Sequence, residues 1–282
     1  MKSIHEIIIE VDRLAPMPQV MNQIMAIAED PNSTMTDIAE VIIYDPVITG
    51  SLIKACNSAY YALPRKVNSV KEAIMLLGLD QVIEFVLIKT ISAYLKKGTL
   101  GYGLNEGELW RYSVSTALMA RDLAARKDAS NKQFIFTASL LKDIGKIVLD
   151  RFVSGAIEEI EELVLSNSYS FKEAEEEVIG LDHAELGGII AEKWDFSPEL
   201  TYVIRNHHMT DLSAMEDYAT SVVYLAEIVA MMTGIGSGID GLAYRFYENV
   251  LEGLKITEDD LQETISLASE HYYNVLDLLS IT

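Results

Sequence analysis

The sequence predicts an all-α protein, and three observations carry that prediction. Apolar residues return at helical spacing through nearly the whole chain. The sustained alternation of a half-buried strand is absent. Helix-opening signals recur, in which a capping side chain precedes a proline or a first-turn acid. Taken in order, Pro18 stands just inside "MPQVMNQIMAIAED", Asp45-Pro46 opens "VITGSLIKACN", and Ser197-Pro198 opens "ELTYVIRNHH". Asp182, with Glu185 three residues on, reads as a capping box before "HAELGGIIAEKW". Helices of about three turns are marginal alone, so these must hold one another.

The clearest seam is "KKGTLGYGLNEGE", residues 96–108, where four glycines among polar residues separate a pair of helix-rich blocks. It divides the chain into an N-terminal helical unit, 1–100, and a second helical unit, 101–282. The acidic segment "EEIEELVLSNSYSFKEAEEEV" keeps Leu, Val and Phe at near-helical spacing and reads as a solvated helix pair. The longest apolar stretch, "SVVYLAEIVAMMTGIGSG" from Ser221, is interrupted by Glu227 and ends in glycines. That is a buried helix, since a membrane span needs about 20 uninterrupted apolar residues.

Composition narrows the function classes. The 282 residues are 50% hydrophobic, enough for a sizeable core, and the formal charge of −21 repels nucleic acid over most of the surface. The single cysteine, Cys56, excludes an intrachain disulfide and reads as a small core residue. The start, "MKSIHEIIIEVDRLAP", lacks a signal peptide's long hydrophobic centre, so a soluble cytoplasmic protein without membrane or nucleic-acid partners is expected. No glycine-rich phosphate loop, Ser/His/Asp arrangement or cysteine-pair metal signature is present.

Five histidines exist, and His183, His207 and His208 fall close together in the chain. They are either a metal cluster joined across two antiparallel helices or three unrelated polar residues. Glu227, amid "VVYLA" and "IVAMM", needs a partner if it is buried, because an unpaired charge there costs several kcal/mol. On a helical wheel of "SLLKDIGKIVL", Leu140, Leu141, Ile144, Ile147 and Val148 form one stripe. Asp143 sits at its margin and Lys142 on the far side, which taken alone exposes Lys142 to solvent.

"DPVITGSLIKACNSAYYALP", "SVKEAIMLLG", "LWRYSVSTALMARDLA", "ASLLKDIGKIVLDRF" and "GLDHAELGGIIAEKW" together closely resemble the HDOD domain, a bacterial signal-transduction module related to HD and HD-GYP phosphohydrolases. The likeness runs from about Leu14 to His208 and implies a helical N-terminal subdomain followed by an HD-like bundle. Carried over position by position, it places Tyr112 and Lys142 where active relatives have histidines. It keeps Asp143 and puts Glu227 in place of a late aspartate. A neutral tyrosine and a charged lysine are not metal ligands, so the first metal site is expected to be lost. The second ion of two-metal relatives corresponds to Asp143, His183, His207 and His208, all present, so one residual divalent ion is conceivable.

The resemblance therefore implies a degenerate pocket in which Lys142 supplies the charge a metal once gave Asp143 and Glu227. The leading expectation is a non-catalytic regulatory protein without cofactor, whose partners are receiver, kinase or cyclic-dinucleotide domain proteins, with residues 1–100 as a contact surface. The alternatives are a metal-dependent phosphohydrolase or phosphodiesterase on the residual site, and a nucleotide sensor that uses a basic patch near Lys54, Arg65 and Lys66.

Overall fold

The computed structural model describes residues 4–281 apart from 31, 59, 60, 62, 128, 210, 211, 236, 237, 243 and 244. The first block is α1 (Ile4–Arg13), α2 (Gln19–Glu29), α3 (Met35–Ile43), α4 (Pro46–Cys56), α5 (Val70–Leu77) and α6 (Leu79–Leu95). The second begins with α7 (Glu108–Lys127), α8 (Lys132–Leu141), α9 (Lys146–Ser154), α10 (Ile157–Asn167) and α11 (Phe171–Ile179). It continues through α12 (His183–Lys193), α13 (Pro198–Asn206), α14 (Tyr218–Met232), α15 (Glu248–Leu254) and α16 (Glu258–Ile281). The described residues form no strand; the sole ladder-like contact among them is an isolated bridge between Thr99 and Leu104.

Local chemistry accounts for most helix starts. The Asp45 carboxylate accepts from the Val47 and Ile48 amides with Pro46 in the first turn, and Ser197 caps α13 ahead of Pro198. Pro18 differs from expectation: it occupies the cap position of α2, one residue outside the helix, with extended backbone. At α12, Asp182 accepts from the Ala184 and Glu185 amides, but Glu185 turns to Arg205 at 3.0 Å instead of reaching back to close a box. The acidic segment forms α10 and α11, joined through Ser168 in the left-handed region.

Residues 96–107 form a closed turn. Gly107 donates to the Lys96 carbonyl, Thr99 and Leu104 exchange backbone bonds, and the Tyr102 side chain between them is fully buried. Gly101 is required there, because a Cβ would run into the Asp150 carbonyl of α9. One apolar core runs through both blocks, from Met21, Ile24 and Leu52 to Trp110, Leu140 and Val223.

The stretch that the wheel treats as one helix is two. α8 ends at Leu141, residues 142–145 form a turn, and α9 restarts at Lys146. The turn interrupts the single helix that the wheel assumes, and Lys142 is fully buried. Gly145 permits this corner to touch α12: a Cβ would overlap the His183 carbonyl and lie 2.7 Å from the Gly187 amide. The same glycine thus brings His183 against Asp143.

Candidate functional site

The α8–α9 corner, α7, α12, the end of α13 and α14 enclose a group of buried charges. Lys142 Nζ contacts Glu227 Oε1 at 2.5 Å and also pairs with Asp143 Oδ2. Lys146 Nζ lies 2.7 Å from Asp143 Oδ1 and 2.7 Å from Asp240 Oδ2, the latter in a short 3-10 turn at Ile239–Leu242. Asp143 therefore bridges two ammonium groups, one on each oxygen. The Tyr112 hydroxyl donates to Glu227 Oε1 at 3.1 Å, and its ring lies 4.6 Å from Lys142 Nζ. The Tyr102 ring covers Lys146 Nζ at 5.4 Å.

Beside this lies the histidine group. His183 Nδ1 donates to Glu175 Oε2 at 2.6 Å, and the other Glu175 oxygen accepts from the Tyr102 hydroxyl at 2.6 Å. His183 Nε2 and His208 Nε2 lie at hydrogen-bond distance, 2.7 Å apart. His207 Nδ1 donates to the Ile204 carbonyl at 2.7 Å, which leaves its buried Nε2 without a hydrogen-bond partner.

Electrostatics follow the contacts. Burial alone would raise the Asp143 pKa, but Lys142 and then Lys146 outweigh it and hold the carboxyl well below the usual range. Burial would likewise discharge Lys146, yet Asp143, Asp240 and Glu227 keep it protonated far above its ordinary value. Burial lowers the proton affinity of His207 and His208, with Lys142 and His207 respectively adding most, so both are neutral at pH 7. For His183 burial is outweighed by Glu175, and its pKa rises. Tyr112 and Tyr102 are pushed well above 10 by burial and neighbouring carboxylates and remain donors.

All seven residues singled out in the sequence, Tyr112, Lys142, Asp143, His183, His207, His208 and Glu227, meet in this one region. Four further members were missed. Lys146 follows Lys142 by four residues, a spacing that could have found it. Glu175 is hidden in an acidic run, Asp240 follows the glycine-rich end of the apolar stretch, and Tyr102 sits in the presumed seam. No sequence signal distinguishes those three.

Among the described residues, two groups offer donors to a metal. Asp143, His207 and Glu227 form one, but an ammonium already lies on both carboxylates, so this set does not fit a cation. His183, His207 and His208 form the other, with ligand atoms within 4.8 Å of one another and one nitrogen, His207 Nε2, aimed in without a partner. That donor set fits a divalent ion, although Lys142 and Lys146 stand close by. Asp143, expected as a fourth ligand, is instead taken up by the two lysines.

Comparison with known proteins now bears on this arrangement. The sequence profile of the HDOD domain matches residues 14–210. The chain belongs to the HDOD domain family. An HDOD domain protein of unknown function from Geobacter sulfurreducens superposes with a TM-score of 0.76 at 23% identity, covering 99% of this chain and 96% of that one. A protein from Marinobacter aquaeolei VT8, provisionally named for signal transduction, gives 0.77 at 19% identity, with 95% of this chain and 60% of that one covered. A protein from Shewanella amazonensis SB2B, provisionally named a phosphohydrolase, gives 0.70 at 18% identity over 99% and 98%. An uncharacterized protein of Treponema pallidum (strain Nichols) is 22% identical over 201 residues, 70% of this HDOD chain but only 38% of that longer protein. These likenesses establish an all-helical HDOD fold. Among the described residues no helix is long and apolar enough to cross a membrane.

Proposed function

We propose that this chain is a non-catalytic HDOD module that acts in the cytoplasm by binding another signalling protein. The observation that carries the reading is Lys142 Nζ held between Asp143 and Glu227. A hydrolytic metal site needs an ion with an open position for water or substrate. Here an ammonium neutralises the same carboxylates and offers no such position. Lys146 repeats the device between Asp143 and Asp240. The pocket then works as a charge-locked core that fixes α7, α9, α12 and α14, and recognition falls to the surface. Exposed Ile43, Tyr44 and Val47 in the first block suit a protein contact, with receiver, kinase or cyclic-dinucleotide domain proteins as the partner class.

The test is metal analysis of the purified protein, combined with hydrolysis assays on nucleotide phosphomonoesters and cyclic di-GMP. No stoichiometric transition metal and no turnover are expected. Near one equivalent of iron, manganese or zinc, with turnover abolished in His183→Ala, would overturn the reading.

A second reading rests on the unpartnered His207 Nε2: His183, His207 and His208 would hold a single divalent ion, which supplies Lewis acidity to a bound phosphate when present. In that case Glu175 orients His183, and Tyr102 in turn holds Glu175. Lys142→His should raise divalent affinity, read by calorimetry, if these rings form a latent site. A third reading, nucleotide binding without hydrolysis, draws on Arg65 and Lys66, which line a cleft of about 350 Å3 with Asn57 and Ser58.

A further inference from the structure

Away from the charge cluster, the first turns of α8, α13 and α14 border an open cleft of about 700 Å3. Its lining includes three aromatic rings, Phe134, Tyr202 and Tyr218, over an apolar floor that includes Val203. Tyr202 is 39% exposed. Three carboxylates line the cleft, Glu199, Glu216 and Asp217, and no cation among the described residues forms an ion pair with Glu199 or Glu216. A further carboxylate, Glu29, stands near: after burial, the charge of Glu199 is among the causes that raise its pKa. Asp217, by contrast, is occupied in capping α14 through the Thr220 amide at 2.8 Å.

This combination selects by charge and by shape. Unneutralised carboxylates repel an anion, and a neutral ligand gains nothing from them. A strongly hydrated inorganic cation gains little from rings and an apolar floor. A guanidinium or alkylated ammonium loses its water cheaply, stacks on tyrosine and phenylalanine faces, and neutralises the rim. The net charge of −21 enriches such cations around the molecule. We propose that this cleft binds an organic cation, a guanidinium or alkylammonium group, with Tyr202 as the stacking ring and Glu199 and Glu216 as counter-charges. The site shares no residue with the buried charge cluster, so it stands whether or not the pocket holds a metal.

Calorimetric titration of the full chain at low ionic strength tests it, with arginine amide and spermidine as probes and neutral citrulline amide as control. Saturable binding of the cations and none of citrulline amide is expected. Tyr202→Ala should weaken binding roughly tenfold, Tyr202→Phe should preserve it, and Glu199→Gln with Glu216→Gln should weaken it at least as much as Tyr202→Ala. Glu161→Gln, on distant α10, separates a site from general attraction to an acidic protein and should leave affinity unchanged. A blocked arginine pentapeptide that binds more tightly than arginine amide would assign the cation to a partner's side chain; weaker binding would assign it to a free amine. If Tyr202→Ala does not fold, Tyr202→Phe and Glu199→Gln decide alone. Equal binding of citrulline amide, equal loss in Glu161→Gln, or no binding of any cation at millimolar concentration would overturn the proposal.

Discussion

The interiors of the N-terminal block and of the α8–α9 corner are both fully buried, yet they are stabilised by opposite means. Around α2, α3 and α4 the interior is Met21, Ile24, Ile38, Ile42 and Leu52, with no charge among them. Where that block does bury a carboxylate, Glu84, its partner Arg121 reaches it from a partly exposed position at 2.7 Å. At the corner, by contrast, Lys142, Asp143, Lys146 and Glu227 are all enclosed together. An apolar core fails by volume, gradually, as methylenes are removed. A buried ionic group fails by imbalance, because loss of one member leaves the others charged and desolvated.

The largest effect should therefore come from unbalancing the corner. Lys142→Met removes the cation shared by Asp143 and Glu227 and should cost about 3 to 5 kcal/mol in denaturant unfolding. In the double variant Lys142→Met with Glu227→Gln, much of that loss should be recovered, since the stranded charge goes with its partner. A cost below about 1 kcal/mol for Lys142→Met would erase the distinction between the regions. Leu52→Ala, in the apolar block, should cost about 2 to 5 kcal/mol through its cavity, and no second substitution of a charged residue should rescue it.

How much of this was legible beforehand differs between the same two regions. In the N-terminal block, the cap at Asp45 and regular apolar spacing state the helices outright. At the corner the three histidines, Glu227 and Asp143 stood out from the residues themselves and Tyr112 and Lys142 through resemblance, while helix geometry misplaced Lys142. The wheel assumes one helix through "SLLKDIGKIVL", whereas residues 142–145 form a turn on which α12 packs closely at Gly145. Glu175 and Asp240 were invisible for a related reason: a carboxylate in an acidic chain carries no mark of burial until its partner's position is known.

Acidification should separate the regions more mildly. His207 and His208 have folded pKa values below the unfolded 6.5, so the stability they contribute is present above pH 6.5 and is lost as pH falls toward their folded values. His183 runs the other way: its folded pKa is raised, so its contribution is full below 6.5 and is lost as pH rises through the folded value. Two groups oppose one, and the melting temperature should fall between pH 7 and pH 5. His208→Gln should flatten that slope. A melting temperature that climbs on acidification would mean that His183 dominates. The apolar block contains no histidine among its buried residues, and its two carboxyls raised by burial, Glu29 and Glu84, act in the same sense as His183.

The smallest effect on stability is expected where the apolar block meets solvent, and it is the one that links the comparison to function. Tyr44 at the end of α3 is 87% exposed and Val47 is 66% exposed, so their side chains bury little on folding. Substitutions at such positions usually change stability by no more than about 0.5 kcal/mol. Asp45 between them already caps α4 through the Val47 and Ile48 amides, so the helix start survives their loss. Tyr44→Ser with Val47→Ser should therefore melt like the parent chain. Under the function proposed above, exposed apolar side chains of this kind form the contact surface. The double variant should lose the partner captured from native lysate by the parent chain, while Lys142→Met with Glu227→Gln, once folded, should retain it. Capture lost in the second variant and kept in the first would place recognition at the buried charge cluster instead.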